Sequence, residues 1–137
     1  MSYWSYSKVK ELYNKIQLLC NDLVGIKFCL DDYDYSNDYE EDIKRIVNKH
    51  DFNYSNKHIY FKYDTWKDNN NLLATLECVE IHEEVYDSDG FYGEGFYDKP
   101  YVKIDRVEVR SNIKNEIRAA VGRSSLSFPV KGDYYEL

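Results

Sequence analysis

The sequence predicts an α+β fold: a mainly antiparallel, twisted sheet of about five strands with three helices packed against it, in the order α-β-α-β-β-β-α-β, forming one domain over residues 1–137. Three observations carry this reading. Apolar residues recur at helical spacing in three separate stretches, and alternation with a period of two marks the segments between them. No repeat, low-complexity tract or long linker divides the chain. At 137 residues and 43% hydrophobic composition, the chain has enough apolar surface to bury a core.

The first helix follows an aromatic lead of Tyr3, Trp4 and Tyr6. Ser7 is placed to cap it, Val9, Leu12, Tyr13, Ile16, Leu19, Cys20 and Leu23 follow the i, i+3, i+4, i+7 pattern, and Gly25 ends it. Glu11 and Lys15 are spaced to pair on its outer side. Ile26, Phe28 and Leu30 alternate with Lys27, Cys29 and Asp31 as a short strand. The second helix is capped by Ser36 or Asn37 and buries Tyr39, Ile43, Ile46 and Val47, with Glu40 and Lys44, and Glu41 and Arg45, as outer pairs. Asp51 to Lys57 reads as a polar turn. Ile59, Phe61 and Tyr63 make the next strand, and Lys67 to Asn71 turns the chain into its central feature.

That feature runs from Leu72 to Arg110 and reads as two long strands. Leu72, Ala74, Leu76 and Cys78 alternate with Leu73, Thr75 and Glu77, after which the apolar set moves to Val79, Ile81 and Val85. On the return side, Val102 and Ile104 give way to Val107 and Val109. Matching phase changes predict a bulged, strongly twisted ribbon. Asp87 to Pro100 reads as its connecting loop, because Gly90, Gly93 and Gly95 permit positive φ and the aspartates favour turns. A third helix follows, capped by Ser111, buried through Ile113, Ile117, Ala120 and Val121, and ended by Gly122. Leu126, Phe128 and Val130 form a last strand, which Pro129 places at an edge.

Charge and composition limit the function. A formal charge of −7 disfavours non-specific binding to nucleic acid or to an anionic membrane and favours a protein partner with a basic surface. Fifteen tyrosines supply large apolar faces with hydrogen-bonding tips, a combination enriched at protein interfaces; an AT-rich genome also raises tyrosine content. Three cysteines without CxxC spacing read as buried free thiols, which implies a reducing compartment, and no segment is long and apolar enough to span a membrane. The expected location is the cytoplasm, that of the host cell if the gene is carried by a phage.

Two stretches stand out as contact surfaces. The run Asp31 to Asp42 interleaves Asp31, Asp32, Asp34, Asp38, Glu40, Glu41 and Asp42 with Tyr33, Tyr35 and Tyr39, and helix capping accounts only for its later acids. The loop between the long strands carries Phe91, Tyr92, Glu94, Phe96 and Tyr97. Carboxylates spaced along a surface can occupy a groove built for phosphates while aromatic rings provide contact area, which is how a DNA mimic works.

Catalytic signatures are weak. Glu80, His82 and Glu84 would project to one side of a strand about 7 Å apart and could together hold a divalent metal, but the pattern is short, and exposed sheet charges have the same spacing. The loop beginning at Asp87 fails the calcium-loop pattern, since Phe91, Tyr92 and Asp98 stand where other residues are needed. Gly93 and Gly95 precede no helix, as a dinucleotide site would require. Gly122 to Ser127 follows a helix C-terminus, the wrong end for an anion. No catalytic residue, cofactor or metal ligand is assigned.

The chain matches no family motif residue by residue. In type, as a small, acidic, tyrosine-rich domain without a catalytic signature, it resembles the inhibitors that phages carry against CRISPR or restriction systems. The expectation is a non-enzymatic, stoichiometric inhibitor of anti-CRISPR or anti-restriction type. It would cover the nucleic-acid-binding surface of a defence effector or nuclease, touching the protein and not the nucleic acid. An immunity protein against a toxin nuclease, and a small metal-dependent enzyme using Glu80, His82 and Glu84, are the alternatives. Homodimerisation through an edge strand or aromatic patch also fits.

Overall fold

A computed structural model of the chain describes residues 5–29, 35–63, 71–87 and 95–122, with Leu126 and Phe128; at 35–38 and 87 it describes the backbone alone. Its elements are α1 (Tyr6–Leu23), β1 (Lys27–Cys29), α2 (Tyr35–Lys49), β2 (Phe52–Ser55), β3 (His58–Phe61), β4 (Leu72–Asp87), β5 (Gly95–Val109) and α3 (Ser111–Val121). The strands form one antiparallel sheet in the order β1-β5-β4-β3-β2. The architecture is the α+β class predicted, with three helices and five strands. β1 and β2 lie at opposite edges and α2 connects them, so this helix crosses the sheet and touches both.

All seven apolar positions read for α1 are buried, with Ile16, Leu19 and Leu23 fully so. The helix begins at Tyr6, so its cap is Ser5, whose hydroxyl accepts from the Lys8 amide at 3.3 Å; Ser7 already lies in the first turn. Gly25, at φ 93°, turns the chain out of α1 and donates its amide to the Ile104 carbonyl at 2.8 Å. α2 likewise starts before its expected caps, at Tyr35, which puts Ser36 and Asn37 inside the helix. In α3 the N-cap is Arg110, without a side-chain cap bond, and Gly122 closes the helix in the left-handed conformation, as expected.

The main departure is β2. Phe52 and Tyr54 point into the core while Asn53 and Ser55 face out, so a segment read as a polar turn is an edge strand of four residues. The turn proper is only Asn56 and Lys57, both at positive φ, the two-residue geometry that suits the twist of a hairpin. Leu126 and Phe128 are buried, the Phe128 ring 5.8 Å from that of Tyr13. The rest of the strand expected over residues 126–130 lies outside the described residues.

Ion pairs expected along the helices give way to tertiary ones. Lys15 reaches Asp51 at 3.3 Å in place of Glu11, Arg45 pairs with Asp42, and Glu40 turns inward to accept the Tyr54 hydroxyl at 2.6 Å. Asp22 at the end of α1 meets His50 at 2.5 Å, tying α1 to the end of α2, and the His50 hydrogen bond holds the Asp22 carboxyl below its ordinary range. Cys20 is buried among apolar side chains, which pushes its thiol up to about 12.

Two outcomes test this packing. Ile104→Ala, at a fully buried position of β5, should lower unfolding free energy by about 2–5 kcal/mol in a urea titration, through lost burial and the cavity left behind. With iodoacetamide near pH 8, intact-mass kinetics should show Cys20 modified only as fast as the protein unfolds, while Cys29, which is half-buried, reacts from the native state.

Candidate functional site

β4 and β5 pair over fourteen positions, from Ala74 with Val109 to Asp87 with Gly95. The register shifts once, between Glu77 opposite Arg106 and Cys78 opposite Ile104, leaving Asp105 as the extra residue. The bulge lies where the sequence places it, but it belongs to β5 alone. β4 runs through without a change of phase, so Ala74, Leu76 and Cys78 share a side with Glu80, His82, Glu84 and Tyr86. Val79, Ile81 and Val85 therefore point to the sheet's outer face. They are not part of the core.

The ribbon outruns the rest of the sheet. β3 pairs with β4 only as far as Thr75, and β1 pairs with β5 only as far as Tyr101. Beyond them lie six pairs, His82 with Pro100 through Asp87 with Gly95, a two-stranded arm of ~20 Å. Phe96, Tyr97 and Asp98, read from sequence as loop, are strand residues here. Their pairing explains this: Phe96 stands opposite Tyr86 and Tyr97 opposite Val85, aromatic and β-branched partners that favour a pleated ribbon. Pro100 is tolerated because it falls just past the end of β1, where β5 has an edge.

Each side of the arm has its own chemistry. On the side continuous with the helix-covered face, Glu80, His82, Glu84, Tyr86, Phe96 and Asp98 are all exposed. The Tyr86 and Phe96 rings meet edge-on with centroids 5.2 Å apart, and Phe96 remains 66% exposed. His82 Nδ1 is 2.7 Å from Asp98 Oδ2, and its Nε2 is 3.8 Å from Glu80. The Asp98 hydrogen bond, then its charge and that of Glu80, raise the His82 pKa above its ordinary value. On the outer side, Tyr101 is flanked by the ammonium groups of Lys27 at 5.2 Å and Lys99 at 5.9 Å, and Lys27 also reaches Glu83 at 2.6 Å. Exposed large apolar side chains concentrate here: of seven among the described residues, Val79, Tyr86, Phe96 and Tyr97 are on this ribbon.

The arm separates the candidate residues. Phe96 and Tyr97 are on it; Phe91, Tyr92 and Glu94 lie outside the described residues, as do Asp31, Asp32, Tyr33 and Asp34. Tyr35 and Asp38 are in the first turn of α2, described in backbone only. Glu41 is exposed, whereas Glu40 is half-buried and committed to Tyr54, whose hydroxyl is pushed up by burial and then by that carboxylate. Glu80, His82 and Glu84 do share a strand face, but His82 turns to Asp98 across the ribbon, and no group of three metal-ligating side chains converges among the described residues. Sequence reasoning missed Tyr86 and Asp98 as members of this surface; the register that joins them to Phe96 and His82 is not visible along one strand.

No protein-family model, curated protein or solved structure matches this chain. Among the described residues, no helix is long and apolar enough to cross a membrane.

Because folding of the arm supplies His82 with Asp98 as a partner, the contribution of that pair is fully present below the ordinary His value of 6.5 and is lost as pH rises through the raised value. Hydrogen exchange of the Ile81 to Tyr86 amides, corrected for intrinsic rates, should keep its protection below pH 6.5 and lose it as pH rises above that value. His82→Gln should remove that dependence while leaving protection of the Ala74 to Leu76 amides unchanged.

Proposed function

We propose that the protein is a non-enzymatic, stoichiometric inhibitor, encoded by a phage or mobile element and acting in the host cytoplasm. In this reading it is of anti-CRISPR or anti-restriction type and covers the nucleic-acid-binding surface of a host defence protein. The observation that carries the reading is the β4–β5 arm, which extends past the sheet with Tyr86 and Phe96 exposed beside Glu80, Glu84 and Asp98 on one side and Tyr97 exposed on the other. Aromatic side chains on a projecting, paired backbone are preorganised anchors that lose little freedom on binding. The carboxylates around them complement a basic surface and speed encounter with it. The net charge of −7 acts in the same direction, and the Asp31 to Asp42 run supplies a second acidic stretch.

The test is affinity capture from host lysate at low and moderate salt, followed by binding measurements on the captured nuclease or effector. Tyr86→Ala with Phe96→Ala should weaken binding at least tenfold, mainly through faster dissociation. Glu80→Gln, Glu84→Gln and Asp98→Asn together should slow association and flatten its salt dependence. Asp31→Asn, Asp32→Asn and Asp34→Asn should do the same if the run joins the contact. A partner that binds both the arm variants and the run variant with unchanged affinity and salt dependence removes this assignment. Capture of a toxin nuclease in place of a defence effector would make the same surface that of an immunity protein.

A further inference from the structure

The two edges of the arm differ in what their backbones offer. Along β4, odd-numbered positions bond across to β5, as the Leu73 carbonyl does in accepting the Arg110 amide at 3.0 Å. The Leu76 amide turns the other way and donates to the Lys57 carbonyl, in the β2–β3 turn, at 2.7 Å. Strand alternation carries the amides and carbonyls of Glu80, His82 and Glu84 to that same edge, past the end of β3. Among the described residues, nothing pairs with them. On β5, the Ile104 amide and carbonyl bond to Ile26 and Gly25, so Val102, Pro100 and Asp98 face the opposite edge. There Pro100 has no amide to donate, which blocks the addition of a further strand. β4 carries no proline or lysine between Val79 and Val85, so its edge is open to backbone pairing.

Side chains beside the open backbone sort onto two faces. Val79, Ile81, Glu83 and Val85 line one, where Lys27 already neutralises Glu83 at 2.6 Å. Glu80, His82 and Glu84 line the other, where His82 is held by Asp98 at 2.7 Å. Glu80 and Glu84, both exposed, are the carboxylates that an incoming strand meets. Such a strand places each side chain on the face of the residue it opposes. We propose that β4 takes up an extended, basic segment of a protein partner as an added antiparallel strand, with cationic side chains opposite Glu80 and Glu84 and apolar ones opposite Val79, Ile81 and Val85. This rests on the reading of the arm as a contact surface and specifies how contact is made: main-chain hydrogen bonds supply affinity, and alternating side chains supply selection. A second copy of the chain is turned away, because its own β4 would bring Glu77, Glu80, Glu83, Glu84 and Asp87 against the same acidic stretch.

The probe is an end-blocked peptide, Val-Lys-Val-Thr-Val-Lys-Val, whose lysines match the spacing of Glu80 and Glu84, titrated into the full chain and followed by amide chemical shifts. Perturbations should map to Val79 to Val85 and leave α1 unmoved. N-methylation of the peptide's lysines and threonine, whose amides face β4, should weaken binding by about tenfold or more, while N-methylation of its inner valines, whose amides face away, should not. Glu80→Gln with Glu84→Gln should weaken binding and flatten its salt dependence. No perturbation at about 1 mM peptide, equal binding of Val-Glu-Val-Thr-Val-Glu-Val, equal binding after N-methylation of the lysines and threonine, or a dimer of the free protein joined through Val79 to Val85 would each overturn the proposal. A captured effector whose binding falls with Tyr86→Ala and Phe96→Ala, yet is unchanged by a folded Glu84→Pro variant, would overturn this inference and leave the proposed function standing. Peptide binding by a protein that captures no effector would do the reverse.

Discussion

The pairing of β4 with β5 is the constraint on which the rest of this structure depends. A strand has a side-chain period of two, so sliding one strand by a single residue would send its whole core-facing set to solvent. Here the slip is built in at one place. Asp105 is the extra residue, and it lets Val107 and Val109 face the helices on one side of the bulge while Ile104 and Val102 do so on the other. The same shift directs Phe96, Asp98 and Pro100 to the side of His82 and Tyr86. One inserted residue therefore sets both the core and the composition of each face of the arm.

A second bulge anchors the other end of the sheet. Between Ile59 opposite Ala74 and Tyr60 opposite Leu72, Leu73 is the extra residue, and it is fully buried. Between the two bulges the helices cover the sheet, and the outer face is left to charged groups: Arg106 lies 2.6 Å from Glu77 and 3.1 Å from Glu108, which in turn reaches Lys114 of α3 at 3.5 Å. Such exposed pairs add little to stability. They keep an open sheet face soluble and discourage edge pairing.

The packed core and the exposed arm are thus spatially divided. The core is assembled from α1, α2, α3 and the inner halves of the strands, where side chains are closely packed and substitutions are costly. Among the described residues, the arm beyond Tyr101 is joined by backbone pairing, the Tyr86–Phe96 ring contact, the His82–Asp98 contact and the Lys27–Glu83 ion pair, and Phe96 and Tyr86 remain exposed. A region so built can change its exposed residues without disturbing the core.

Much of the architecture was legible in the chain itself. The seven core positions of α1, the inward side of α3 with Ile113 and Ile117 buried and Ala120 and Val121 partly so, the closing role of Gly25 and Gly122, and a bulge near Cys78 and Arg106 all follow from local periodicity and backbone chemistry, which depend only on neighbours in sequence. β2 was obscured because four residues among polar ones carry only two apolar signals, Phe52 and Tyr54, and those became a strand when α2 and β3 buried them. The sequence determined that Glu80, His82 and Glu84 share a strand face, and that Phe96 and Tyr97 lie near the ribbon's turn. Only the tertiary structure decided that His82 meets Asp98, that Tyr86 meets Phe96, and that Glu40 serves Tyr54, because cross-strand register and helix placement join residues that no local pattern connects.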